Sequence, residues 1–306
     1  MVSDPIPPEQ LRFFLAFDHR GLLQRGLFGW ELELDAEQTA KVCDAKQVIY
    51  EGLLVSASRA DSPAGFGLLV DEQFGSEIAR DAVKRGFSVA MPVEQSDGDE
   101  FDFEFGEDFG EHIEDFNPTY AKVLVRYNPD GDDDLNKRQL DRLRTLSQWL
   151  QAKNRKFLFE LIVPPTAAQL EIADDDTLNY ELNQRPELIL RSMTEVLTAG
   201  IQVDVWKLEG LDEAEDAIRA AELATADGRT DVELVLLGAG AGDDRVIRWI
   251  EAAAPASNWI GFAIGRSIWW EPLTEFLAGD ISRAEAASQI ADRYERFIAV
   301  WLEARS

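Results

Sequence analysis

Two lysines and two carboxylates stand where the neighbouring residues are those of buried strands. The stretch VDVWKLEGL (203–211) is β-branched, aromatic and apolar around Lys207. AKVLVRY (121–127) carries Lys122 and Arg126, KFLFELIV (156–163) carries Glu160, and RFFLAFD (12–18) ends on Asp18. Burying an ammonium is costly, and such a group tends to give up its proton. A neutral amine attacks carbonyl carbon, and a carboxylate beside it can move the protons that the addition requires. The chain holds 8 Lys against 22 Arg, and Lys207 is the one lysine in the 150 residues after Lys156. A lysine kept at a strand position, where the chain otherwise avoids lysine, points to chemistry.

Other chemistries find less material. Cys43, His19 and His112 are the whole complement of cysteine and histidine, so neither an internal disulfide nor a zinc site is expected. No metal and no cofactor enters the expectation. The net charge of −28 would repel nucleic-acid phosphates. Apolar runs such as VELVLLGAGAG (232–242) are too short to span a bilayer, and MVSDPIPPEQ has neither the basic nor the apolar region of a signal peptide. The expectation is a soluble cytoplasmic protein with a small-molecule ligand and no nucleic-acid or membrane partner; a homo-oligomer is compatible with it. The acidic groups DGDE (97–100), DGDDD (130–134) and ADDD (173–176) read as solvated loops, or as adaptation to a salty cytoplasm where screening relieves repulsion.

Eight short apolar runs must position these groups: 12–18, 65–71, 87–93, 121–127, 156–163, 203–208, 232–238 and 259–265. Helical periodicity fills much of the space between them, over 35–58, 136–154, 213–227, 243–254 and 283–304. Leu140, Leu143, Leu146 and Leu150 share one helical face; so do Ile290, Tyr294, Phe297, Ile298 and Trp301. Eight strands alternating with helices over this length predict a (β/α)8 barrel occupying residues 1–306 as one domain, with a doubly wound open sheet as the alternative. The acidic, aromatic segment 96–116 reads as a packed loop after the third strand, on the face where active sites of this fold gather.

Alternation along a strand assigns faces. Val203, Val205 and Lys207 fall together, opposite Trp206 and Leu208. Leu158, Glu160 and Ile162 share a face, as do Lys122, Leu124 and Arg126, and Phe14, Ala16 and Asp18. With large apolar side chains toward the helices, the ionisable groups point into the barrel. A structural ion-pair network is the plain alternative, but convergence from three adjacent strands favours a site. The turn GAGAGDD (238–244) enters a helix and offers backbone N–H groups to an anion, while AIGRS (263–267) ends the last strand with Gly265 and Arg266. Loops after strands seven and eight are the habitual phosphate site of this barrel, so Gly238, Gly240, Gly265 and Arg266 are the expected phosphate ligands.

The segments AFDHRG (16–21), LVDEQFG (69–75), AKVLVRYN (121–128), FLFELIVP (157–164), VWKLEG (205–210), LLGAGAGD (236–243) and IGRSIWW (264–270) resemble the class I aldolases related to tagatose 1,6-bisphosphate aldolase. The resemblance is closest to the branch holding the 2-deoxy-5-keto-gluconate 6-phosphate aldolase domain of bacterial inositol catabolism, whose pattern includes a stretch similar to DEFDFEFGEDFGEHI (99–113). It runs in order from about residue 11 to 301. It implies a Schiff-base lysine at Lys207, Glu160 as proton-transfer partner, Lys122 as a second cation, Asp18 as the strand-one acid, and Arg266 with the glycine turns at phosphate. Arg126 would face the substrate. Many relatives carry a sugar kinase ahead of this domain; none lies within these residues, so a separate kinase or a different substrate is expected.

The implied reaction cleaves a phosphorylated keto sugar to dihydroxyacetone phosphate and an aldehyde, malonate semialdehyde for the inositol-pathway substrate. An iminium on Lys207 would draw electrons from the adjacent C–C bond. Lys122 would help depress the lysine pKa, and Glu160 and Glu209 would oppose it. A Schiff-base lyase for tagatose or fructose bisphosphate or a sulfonated ketose is the second reading, and a silent sugar-phosphate-binding barrel the third.

Overall fold

Strands that are apolar on both faces need cover on both, and a barrel ringed by helices supplies it. The computed structural model describes residues 10–31, 33–60 and 65–306, so the amino-terminal segment read for a signal peptide lies mostly outside the described residues. The strands are β1 (Arg12–Ala16), β2 (Phe66–Leu69), β3 (Ser88–Pro92), β4 (Tyr120–Arg126), β5 (Lys156–Ile162), β6 (Val205–Glu209), β7 (Glu233–Leu237) and β8 (Trp259–Ile264). They pair in sequence order, all parallel, and β8 closes on β1 through Phe14 opposite Ala263. The fold is a single (β/α)8 barrel.

Two apolar clusters follow the strand alternation. Phe14, Ala16, Leu69, Ala90, Tyr120, Leu158, Val205 and Val235 fill the barrel interior. Phe13, Leu15, Val123, Val125, Phe159, Trp206 and Leu208 belong to the larger cluster between strands and helices. Val203 belongs to this outer cluster and not to the interior, because β6 begins only at Val205 and the two-residue period does not extend before it.

The helices over Ala36–Arg59, Asp133–Ala152, Ala214–Thr225, Asp243–Ala253 and Arg283–Arg305 match the predicted periods within a few residues. Asp35 and Ser282 each close a capping box, with Gln38 and Glu285. The terminal helix buries Ile290, Tyr294, Phe297 and Trp301, and Ile298 is only partly buried. It lies against Ala36–Arg59 at Gly52, where a Cβ would come within 2.4 Å of Ile290. No helix among the described residues is long and apolar enough to cross a membrane.

Candidate active site

Strand register brings the charged side chains together at the carboxyl-terminal mouth. Glu160 pairs with Lys207 across β5 and β6, and with Leu124 across β4 and β5. Lys122 starts one inward step deeper, opposite Leu158 and Pro92, and its four-carbon stem reaches up into the same layer. Its ammonium meets three carboxylates: Asp18 at 2.9 Å, Glu94 at 2.6 Å and Glu160 at 2.9 Å. The other oxygen of Glu160 lies 2.9 Å from Lys207 Nζ. The result is a continuous chain of charge, Glu94–Lys122–Glu160–Lys207, with Asp18 as a branch on Lys122.

These groups are nearly dry. Lys122 and Lys207 are each 2% exposed, Glu160 4% and Glu94 7%. Burial alone would depress the Lys122 pKa, but Asp18, Glu160 and Glu94 together raise it well above the usual lysine value. Asp18 and Glu160 are lowered: burial pushes each up, and the opposing pull of Lys122 and Lys207 prevails. Glu94 is raised, because burial outweighs Lys122 and Arg20. Lys122 is thus a fixed cation, and Lys207 shares one carboxylate with it.

The cavity above this layer encloses about 450 Å³. Its far wall is the predicted anion cradle. Gly240 has φ +71°, and a Cβ there would sit 2.4 Å from the Arg266 guanidinium, so the turn must be glycine for Arg266 to lie across it. Arg266 donates to the Ala239 carbonyl at 2.9 Å. Gly265 is the N-cap of the helix Arg266–Ala278, whose first turn carries no acidic residue and no side-chain cap. Its backbone N–H groups therefore open the helix start to an anion. A Cβ on Gly265 would lie 2.3 Å from the Ala16 carbonyl, and Trp269 Nε1 donates to that carbonyl at 2.8 Å. These contacts tie the cradle to the strand end bearing Asp18. Gly238 and Arg126 also line the cavity, and Arg126 donates to the Gly98 carbonyl at 3.1 Å.

Three features were missed in the sequence. Glu94 lies two residues beyond Pro92 on the inward face of β3, and ending the apolar run at Val93 hid it; one more alternate position would have reached it. His19 lines the cavity with its imidazole edge-on to Trp269, and burial pushes its pKa down to about 4, with Asp18 opposing and Arg266 assisting, so it is neutral near pH 7. Arg20 joins the loop after β1 to the segment after β3, donating to the Glu94 carbonyl at 2.6 Å and pairing with Glu104 at 3.2 Å. Glu209, expected to act on Lys207, accepts instead from the Val163 N–H at 2.8 Å and from Arg185 at 3.3 Å. The acidic segment is pinned, not loose: Phe101 N–H donates to Gln139, and Arg138 and Arg142 both pair with Glu100.

Fold and site together define a (β/α)8 barrel with an inward two-lysine, three-carboxylate cluster in a cavity also lined by Gly238, Gly240, Gly265 and Arg266. The chain belongs to the family described as "Uncharacterized protein conserved in bacteria (DUF2090)", whose model matches residues 6–305. No curated protein matches the sequence. Solved structures similar to it include Cgl0159 from Corynebacterium glutamicum (16% identity, TM-score 0.60, covering 96% of this chain and 88% of that one). A Schiff-base-forming fructose-1,6-bisphosphate aldolase is similar at 11% identity and TM-score 0.58, covering 94% of each chain. Fructose-bisphosphate aldolase from Plasmodium falciparum is similar at 12% identity and TM-score 0.64, covering 98% of this chain and 94% of that one. Likeness at these identities is likeness of fold.

Proposed function

We propose that the protein is a class I aldolase that cleaves a phosphorylated keto sugar through a Schiff base on Lys207. The observation that carries this reading is the Lys207–Glu160–Lys122 chain at the barrel mouth, facing a cavity also lined by Gly238, Gly240, Gly265 and Arg266. Lys207 attacks the ketone carbon, and Glu160, in contact with its Nζ, takes and returns protons as the carbinolamine forms and loses water. The iminium draws the electrons of the neighbouring C–C bond when that bond breaks. Lys122 holds Glu160 in place, and Asp18 in turn holds Lys122. Arg266, Gly238, Gly240 and Gly265 bind the phosphate, and Arg126 faces the distal part of the substrate. The sequence resemblance favours 2-deoxy-5-keto-gluconate 6-phosphate, giving dihydroxyacetone phosphate and malonate semialdehyde. Fructose and tagatose 1,6-bisphosphates and sulfofructose phosphate are the substrates to set beside it.

The test is release of dihydroxyacetone phosphate by the purified protein across that panel. Release from none of them would refute the proposal. Because the iminium is itself the electron sink, activity is expected to survive EDTA unchanged; a loss restored by zinc would contradict the Schiff-base route.

Arg266→Ala removes a charge-assisted contact worth about 1.5–3 kcal/mol. KM for the phosphorylated substrate should rise roughly ten-fold or more, with a smaller effect on kcat. An unchanged KM would place the phosphate elsewhere.

A further inference from the structure

The ion-pair chain contains one carboxyl whose second oxygen has no work to do in the ground state. Glu94 Oε1 accepts from Lys122, while Oε2 is buried without a hydrogen-bond partner among the described residues. A buried, unpaired carboxylate oxygen costs free energy, and its retention calls for an explanation. Glu94 lines the cavity, so a bound molecule can supply the missing donor. Its position is fixed from two sides. The backbone bridges to Phe103 and its carbonyl accepts from Arg20, while the side chain is held by Lys122.

Register places Glu94 in the same layer as the Schiff-base pair, beyond Lys122 from it. Val93 N–H donates to the Lys122 carbonyl at 2.9 Å, which continues the β3–β4 ladder past Pro92 and sets Glu94 level with Leu124 and hence with Glu160. Glu160 and Lys207 thus approach a substrate from β5 and β6, and Glu94 from β3. Two proton-transfer groups separated by one ammonium can serve two different atoms of one carbon chain.

We propose, resting on the aldolase reading above, that Glu94 is the catalytic residue that carries the hydroxyl proton of C–C bond cleavage. Glu94 takes the proton from the hydroxyl on the carbon β to the iminium. The bond between the α and β carbons breaks, its electron pair enters the iminium to give a neutral enamine, and the β carbon leaves as a carbonyl. Glu94 then returns the same proton to the α carbon, regenerating the iminium that water hydrolyses from Lys207. Proton and electron pairs balance with no further reactant. Glu160 keeps the separate task of forming and hydrolysing the imine.

The electrostatics agree with this division. Three carboxylates against the Lys122 ammonium and an iminium on Lys207 leave the cluster one negative charge in excess, which favours taking up the hydroxyl proton. The groups facing Glu94 are Lys122 from β4, Asp18 and Arg20 from the loop after β1, with Glu104 behind Arg20 and Glu160 behind Lys122. Among the three carboxylates Glu94 is the one that burial leaves raised, while Lys122 and Lys207 lower the other two, so Glu94 is the carboxylate whose surroundings most favour accepting a proton. A base whose pKa is moved toward neutrality is better matched to shuttling.

Dihydroxyacetone phosphate alone separates this inference from the reading beneath it. Wild-type protein should be covalently trapped with it by borohydride and should exchange its α hydrogen with D2O. Failure of the wild type to trap would refute the aldolase reading itself. Glu94→Gln keeps an oxygen for Lys122 but no ionisable carboxyl; it should trap at the wild-type level and exchange at least ~100-fold more slowly. Exchange within three-fold of wild type, or loss of trapping together with exchange, would overturn the role. Thermal unfolding establishes that the variant is folded. Should it not be, Glu94→Asp withdraws the carboxyl by one methylene and carries the same test. Exchange slowed ten-fold with trapping intact supports the shuttle, and wild-type exchange overturns it.

Discussion

Lys207→Arg should abolish both turnover and borohydride trapping in a protein that still folds and still binds phosphate. A guanidinium keeps the charge opposite Glu160 but stays protonated and offers no nucleophilic amine. Losing the covalent route should lower kcat by ~10⁴-fold or more. Peptide mapping of the wild-type adduct should find it on the segment bearing Lys207. Lys122 is the rival by alternation alone, since both lysines face inward. Their surroundings separate them. Lys122 is held by Asp18, Glu94 and Glu160, which raise its pKa well above the ordinary value despite burial, and an ammonium so held does not attack a carbonyl. Lys207 contacts Glu160, the one carboxylate that can relay its proton. An adduct mapped to Lys122, or turnover by Lys207→Arg, would sink the assignment.

What made Lys207 legible is the same physics that makes the barrel. A two-residue period with large apolar residues on one side predicts which face meets the helices, and Trp206 and Leu208 obey it. The placement of Lys122, Glu160 and Arg126 at the cavity followed from that rule, and the glycines after β7 and β8 reach the same cavity because strand ends gather at one mouth. Glu94 did not follow from it, because the apolar run ends at Val93 while the chain keeps alternating for one step after it. His19 and Arg20 sit in the loop past β1, where no period exists and position depends on partners distant in sequence: Trp269 for one, Glu94 and Glu104 for the other. Glu209 shows that facing and pairing differ. It shares the inward face with Lys207, yet Arg185 and the Val163 amide claim it. Facing is local; pairing is tertiary.

Lys122→Met should cost folding stability more than any other single change in the cluster, and in a pH-dependent way. Asp18, Glu94 and Glu160 would remain buried without their shared cation, and breaking a buried pair of this kind costs about 3–5 kcal/mol. The sign follows from the shifts. Lys122 is raised, so its contribution is fully present below the ordinary lysine value of 10.5 and is lost as pH rises through its higher folded value. Asp18 is lowered, so its contribution is present above the ordinary 3.8 and is lost as pH falls below it. Wild type therefore has the full benefit between those limits. In the variant all three carboxyls lose their main depressing charge and take up protons more readily, which relieves the cost on the acid side. Guanidinium denaturation of both proteins should give a stability difference widest near pH 7.5 and smaller near pH 4. The same difference at both values would mean that Lys122 stabilises by packing its stem, and that the charge chain on which Glu160 depends is not what holds the barrel mouth together.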